Sequence, residues 1–326
     1  MCYDLNCDFI RDTTMTLALA KRRPGIDTLP FHKILDPRFS ETVNTIVKMN
    51  RFPGSLCVSI ERKDIPTVKN KPFWVCEKSD GTRFLLVVTK FDGLNVAALV
   101  GRRADDIYAI KLQKVPRDLY KGTVLDGEMV LDKQTNRQTF LAFDALLVAG
   151  RDVRDRPFSE RYLDMCAAMM HYEPHERDSI AFKVKTFFPV PRLNECMDSR
   201  RDAVRSRFGW DGLIFTPENH PVVAGRNFHM FKWKPVDLIT IDFCVNQDGR
   251  TLLVNDQTGL VPVGTLDEPA EPGSVVECTL TNAHEAMWHV YRVRSDKSYP
   301  NDMLTFTRTL ANIQEAIVLE DFYDRK

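Results

Sequence analysis

From Asp237 onward the chain changes texture, and that change limits its architecture more than any other feature of the sequence. Five short apolar runs, ITIDFCV, TLLVND, GLVPVGTL, SVVECTL and MWHVYRVR, follow one another in about 60 residues, punctuated by Gly and Pro. Runs this short cannot each bury a face of their own. They share one interior by closing into a small β-barrel, and five strands point to an OB-type barrel. Residues 303–321 then space Leu304, Leu310, Ile313, Ile317 and Val318 near the helical period. That spacing predicts a terminal helix docked on the barrel or on the domain before it. The expected division is a first domain over 1–235, a barrel over 236–302 and the helix over about 303–326.

Charge divides in the same place. Residues 236–326 carry 7 Lys+Arg against 15 Asp+Glu, a net of −8, while residues 1–235 carry 38 against 30, a net of +8. The formal net charge of all 326 residues is zero, so the bulk charge advertises no nucleic acid, but a polyanion prefers the first domain. That domain alternates strands and helices. Ser40 caps a helix over 40–50, and residues 72–103 run strand, loop, strand, turn, strand, with the turn at Phe91-Asp92-Gly93. Residues 123–148 repeat the style, helices follow over 159–171 and 192–208, and strands return over 212–216 and 228–234. The longest apolar runs have strand length, and MCYDLNCDFIRD lacks a basic region before an apolar one. Neither a membrane span nor a secretory signal is expected. The eight cysteines are scattered without a C-x-x-C pair, which predicts free thiols in an intracellular reducing compartment and no zinc site.

The chemistry gathers at Glu77-Lys78-Ser79-Asp80-Gly81-Thr82-Arg83. A lysine ends a strand, a glycine loop follows, and an arginine begins the next strand. A primary amine beside backbone N–H groups and a fixed cation suits a phosphate. To attack phosphorus the amine must be neutral. At a reference pKa of ~10.4 roughly one lysine in 2,500 is neutral at pH 7, a handicap of ~4–5 kcal/mol. Nearby cations reduce it, and Arg83, Lys232 and Lys234 are candidates. Downstream, Glu128 in Asp126-Gly127-Glu128 suits Mg²⁺ or a ribose hydroxyl, and Phe143 suits a stacked base. Asp211 suits a metal, directly or through water, or is a turn carboxylate. Lys232 and Lys234 are two apart in a strand and share a face, where they can take up charge on an α-phosphate. Each of these also has a plain reading as a packed or solvated side chain. Their order along the chain is the specific signal.

EKSDGTR, DGE, FDAL, DGLIF and FKWKP in this order resemble the motifs of the covalent nucleotidyltransferases, the superfamily of mRNA capping guanylyltransferases, ATP-dependent DNA ligases and RNA ligases. The resemblance spans residues 58–302. It implies an α+β fold: a nucleotidyltransferase domain of ATP-grasp-like antiparallel sheets with helices, followed by an OB-fold barrel. It also implies a lysyl-N-phosphate bond on Lys78, ribose contacts from Arg83 and Glu128, and base reading by Lys185 in KVKTFFPV. In LVGRRADDIY either Arg102 or Arg103 matches the superfamily's next arginine, with the spacing to Tyr108 favouring Arg103.

The end of the chain favours a capping enzyme over a ligase. RVRSDKSYPND, with Arg294, Asp296 and Lys297, resembles the capping motif that meets the β- and γ-phosphates, and Asp242 in ITIDFCV fits the same pattern. VSIERKD and RSDKSYPND are similar to the compact capping enzymes of large DNA viruses of algae. A barrel unit at −8 is also a poor clamp for duplex DNA. The resemblance implies GMP transfer from GTP, with Mg²⁺ or Mn²⁺, to the 5′-diphosphate end of RNA. The runner-up is an ATP-dependent polynucleotide ligase carrying AMP on the same lysine. Neither a phosphatase Cys loop nor a methyltransferase nucleotide site is present. An RNA triphosphatase and a cap methyltransferase are therefore expected as separate partners of a monomeric, virus-encoded enzyme of nucleus or cytoplasm.

Overall fold

The computed structural model describes residues 31–34, 36–47, 52–102, 106–201, 207–295 and 297–323. Arg103 and Asp296, both expected in the site, lie outside the described residues. The described residues form two compact units. Of these residues, one unit holds those up to Val58 together with Lys71–Phe231, and the other holds Ser59–Asn70 together with those from Lys232 on.

The first unit is α+β, with largely antiparallel strands. Its larger sheet has eight strands, ordered His32–Lys33, Ile107–Ile110, Leu94–Val100, Thr82–Phe91, Thr123–Asp132, Arg137–Val148 and Ala181–Val184, with Arg151–Asp152 paired to Arg137–Val148. Ala181–Val184 runs parallel to its neighbour. The run Phe84–Val88 shows no alternation because both faces of its strand are covered. Leu85 and Val87 pack with Phe39, Val43 and Val47 of the helix Pro37–Val47, while Phe84 meets Tyr108 edge-on at 6.0 Å. The expected turn forms at Asp92 (φ 47°) and Gly93 (φ 80°), the left-handed pair that a two-residue antiparallel hairpin requires.

The second sheet of this unit is ordered Phe188–Pro189, Phe73–Ser79, Trp210–Pro217, Gly225–Trp233 and Ser55–Ser59. Lys78 sits at its strand end, and the loop expected over residues 79–82 contracts to Asp80-Gly81. A Cβ at Gly81 would stand 2.2 Å from the Met129 carbonyl oxygen. The motif glycine thus lets the loop after Lys78 lie against the strand that carries Glu128.

In the second unit five strands close a barrel in the order Ile241–Val245, Thr251–Asn255, Leu260–Leu266, Met287–Val293, Val275–Asn282, the strand order of an OB fold. Ile241, Phe243, Val276, Cys278 and Trp288 fill its interior. Asp302 caps the terminal helix Met303–Glu315 by accepting from the Thr305 N–H at 2.7 Å. Phe306 of this helix packs on Phe243, with ring centroids 6.0 Å apart. The helix therefore docks inside the barrel unit. It also ties Ser59–Asn70 to that unit, since Arg308 pairs with Glu61 at 2.7 Å and Glu315 accepts from the Arg62 N–H at 2.7 Å. Among the described residues no helix is long and apolar enough to cross a membrane.

Gly127 is as constrained as Gly81, because a Cβ there would lie 2.3 Å from the Phe140 ring. Gly127→Ala is expected to destabilise the protein by ~1–3 kcal/mol, read as a lower urea midpoint at unchanged slope.

Candidate functional site

Lys78 and Asp211 come from adjacent antiparallel strands. The register pairs Gly212 with Lys78 and Trp210 with Ser79, leaving Asp211 as the extra residue of a β-bulge. Gly212 takes φ 153° there, a conformation glycine accepts without cost. A bulge re-aims the side chain it carries. Here it turns the Asp211 carboxylate onto Lys78, whose Nζ donates to Oδ1 at 2.6 Å.

The two sheets of the first unit line one open cleft of about 760 Å³, with Lys78, Arg83, Arg102, Glu128, Phe143, Lys185, Ile214 and Met230 among its walls. That size suits a small-molecule ligand. Arg83 is the most tightly held of the cations. It forks onto Asp126 at 2.9 and 2.5 Å, and its guanidinium lies 4.8 Å from the Phe52 ring centre and 5.2 Å from that of Phe143. Burial opposes its charge, but Asp126 outweighs burial and holds the guanidinium above its ordinary pKa. Glu128 stands opposite Arg83 in the sheet register. Burial pushes its carboxyl above the usual range, and the charges of Lys185, Arg83, Lys78 and Arg102 pull it back. Lys185 donates to the Glu77 carbonyl at 2.7 Å, and its Nζ is 6.0 Å from the Phe143 ring centre. Burial and the charge of Arg83 depress the Arg102 guanidinium.

Sequence reasoning missed several of these residues. Arg102, weighed against Arg103 and set second, lines the described cleft beside Arg83, while Arg103 lies outside the described residues. Asp126 was visible only as the first letter of DGE. Ile214 and Met230 gave no signal beyond their apolar character. Asp144, beside Phe143, is a structural residue: it takes a fork from the buried Arg161 at 2.8 and 3.0 Å.

In the barrel unit, Lys232 and Lys234 flank the buried Trp233, and all three line a second cavity of about 520 Å³ with Ile60 and Asn312. Asp242, Arg294 and Lys297 come together. Asp242 accepts from Arg294 Nη1 at 3.0 and 3.1 Å and also from Lys297 Nζ. Glu277, which the sequence did not flag, stands beside Asp242 in the register and reaches Arg294 Nη1 at 3.5 Å.

Among the described residues no group of three or more His, Cys, Asp or Glu side chains could hold a metal ion. A hard divalent cation of Mg²⁺ type needs less, namely one or two carboxylates with the remaining positions taken by water and phosphate oxygens. Glu128 presents oxygen donors of that kind to the cleft, and Asp211 presents its carboxylate beside Lys78.

The comparisons with known proteins agree with this geometry. Residues 32–236 match the family model described as mRNA capping enzyme, catalytic domain, and residues 240–323 match that for mRNA capping enzyme, C-terminal domain. The mRNA-capping enzyme subunit alpha of Schizosaccharomyces pombe is 26% identical, over 89% of this chain and 83% of that protein. The mRNA-capping enzyme of Danio rerio is 27% identical over 84% of this chain, which spans half of that longer protein. A solved structure titled as a structure-function analysis of Lig E DNA ligases covers 74% of this chain at 18% identity, with a TM-score of 0.37. With both family models matched in order along one chain, this protein belongs to the mRNA capping enzyme family and is a guanylyltransferase.

Proposed function

We propose that Lys78 is the nucleophile of the guanylyl transfer and carries GMP between two half-reactions. The observation that supports this best is its setting. It is an amine at a strand end, hydrogen-bonded to Asp211 at 2.6 Å, on the wall of a cleft that also holds Arg83, Arg102, Lys185 and Glu128. GTP binds with its base toward Phe143 and Ile214, Lys185 contacts the base, and Arg83 and Glu128 hold the ribose. Asp211, the carboxylate that already accepts from Nζ, is the proton acceptor nearest to hand. The Lys78 nitrogen then forms a bond to the α-phosphorus while the bond from that phosphorus to the β-phosphate oxygen breaks, and pyrophosphate leaves. Lys232 and Lys234 take up charge on the α-phosphate, and Arg294 and Lys297 of the barrel unit orient the departing pyrophosphate. In the second half-reaction a β-phosphate oxygen of a 5′-diphosphate RNA end bonds to the same phosphorus. The P–N bond breaks, and the amine regains its proton.

Mg²⁺ or Mn²⁺ held by Glu128 and Asp211 would supply charge neutralisation at the α-phosphate. The diphosphate end implies an RNA triphosphatase acting earlier, and the unmethylated cap implies a methyltransferase acting later. The free thiols at Cys57, Cys76, Cys166, Cys196, Cys244 and Cys278 support an intracellular reducing compartment. VSIERKD and RSDKSYPND support a viral relative.

Two outcomes test this reading. With α-labelled GTP and a divalent metal the protein is expected to acquire an acid-labile, alkali-resistant label that Lys78→Ala abolishes. Label from ATP and none from GTP would instead mark a ligase. The second outcome concerns Glu128. Its raised carboxyl pKa means that the folded state favours the protonated form. That stabilisation is complete below the unfolded value of ~4.3 and is lost as pH rises through the folded value. At pH 7–8 the ionised group therefore costs stability. Glu128→Gln is expected to raise the thermal unfolding midpoint near neutral pH while cutting label formation by about a hundredfold. A variant both less stable and fully active would contradict the assignment.

A further inference from the structure

Three neighbouring strands of the barrel carry Asp242, Glu277 and Arg292 side by side, for Asp242 pairs with Glu277 and Glu277 with Arg292. Their side chains, with Thr240, Arg294 and Lys297, form one continuous polar cluster. Glu277 is 9% exposed and fully engaged. Its Oε1 accepts from the Thr240 hydroxyl, and its Oε2 accepts from Arg292 Nε at 2.6 Å and from Arg294 Nη1 at 3.5 Å. Burial acts to raise its carboxyl pKa, but the Thr240 and Arg292 hydrogen bonds outweigh burial, so it stays ionised.

Arg294 Nη1 thus faces three carboxylate oxygens, two of Asp242 and one of Glu277. A guanidinium is rigid and planar, so pinning one nitrogen from two directions fixes the plane of the whole group. Asp242 and Glu277, on neighbouring strands, both reach this nitrogen. Glu277 cannot turn away, being held on one side by Thr240 and on the other by Arg292. It also sets the local charge. Arg292, Arg294 and Lys297 stand against Asp242 and Glu277, a surplus of one positive charge, and without Glu277 the two arginines would face each other with one acid fewer between them.

We propose that Glu277 is a positioning residue for the first half-reaction, fixing the guanidinium of Arg294 in the orientation that meets the leaving pyrophosphate. This rests on the assignment of Arg294 to pyrophosphate given above. Glu277 touches no substrate and acts through Arg294 alone. The second half-reaction involves no pyrophosphate and so does not need it.

The test separates the half-reactions in the full-length chain. Glu277→Gln keeps the shape and an acceptor for Thr240, but places an amide NH₂ where Arg292 and Arg294 require an oxygen anion. In single-turnover assays with labelled GTP and metal, Lys78–GMP formation is expected to slow about tenfold, the loss of one charge-assisted hydrogen bond. Pyrophosphorolysis of the isolated adduct is expected to slow by the same factor. Transfer of GMP from isolated adduct to 5′-diphosphate RNA is expected to match the unsubstituted protein, and Glu277→Asp, which keeps the charge, is expected to recover part of the first rate. Unchanged adduct formation, or equal loss in both half-reactions, would overturn the proposal. If unsubstituted protein forms no adduct, it is the Lys78 assignment that fails, so the two failures are distinguishable.

Discussion

Four cations, Lys78, Arg83, Arg102 and Lys185, surround one half-buried carboxylate, Glu128, and much of the first unit holds that arrangement. Like charges in one cleft repel, so each must be fixed by a partner that a polyanionic ligand can supplement or replace. Arg83 has Asp126, Lys78 has Asp211 and Lys185 has the Glu77 carbonyl. The motif glycines belong to the same constraint. At Gly81 and Gly127 the neighbouring strands approach so closely that a Cβ would strike backbone or ring, and that closeness brings Glu128 opposite Arg83.

The partners differ in permanence. The Arg83–Asp126 fork is nearly inaccessible, with side chains 11% and 2% exposed, and breaking such a pair costs several kcal/mol. Arg83 is therefore a fixed feature of the cleft, further confined between the rings of Phe52 and Phe143. The Lys78–Asp211 pair is more open, at 24% and 20% exposure, and its acid rides on a bulge. On the proposed role of Lys78, the group that changes its bonding during group transfer is the less confined one. The group that need only supply a fixed charge is locked.

Local patterns in the sequence carried much of this. The hairpin turn at Asp92-Gly93 is set by the residues of the turn itself, and the five barrel strands by their period and punctuation. Lys78 at a strand end followed from the same kind of signal. What stayed hidden depends on register and on distant packing. Asp211 aims at Lys78 because of one extra residue between Trp210 and Gly212, and nothing in DGLIF announces a bulge. Asp126 and Asp144 look equivalent as strand acids, yet one orients a cleft arginine and the other neutralises the buried Arg161. Ser59–Asn70 reads as part of the first domain by position, but its Glu61 and Arg62 bond to the terminal helix, some 250 residues away in sequence.

The acidity of the barrel unit takes on a different meaning once its side chains are placed. A formal −8 over residues 236–326 argues against a face for duplex nucleic acid, but it does not describe the patch around Arg294. There, acids and cations are interleaved so that Asp242 occupies donors of Arg294 and Lys297 that phosphate oxygens would otherwise seek, while Glu277 stands beside Arg294 on the neighbouring strand. Carboxylate and phosphate oxygens accept from a guanidinium with similar geometry and strength. Replacing one by the other is therefore a near-balanced exchange, whereas drawing a bare, solvated arginine out of water carries a desolvation cost at every turnover. An acidic barrel is thus compatible with phosphate chemistry because Asp242 acts as a resident substitute for the ligand.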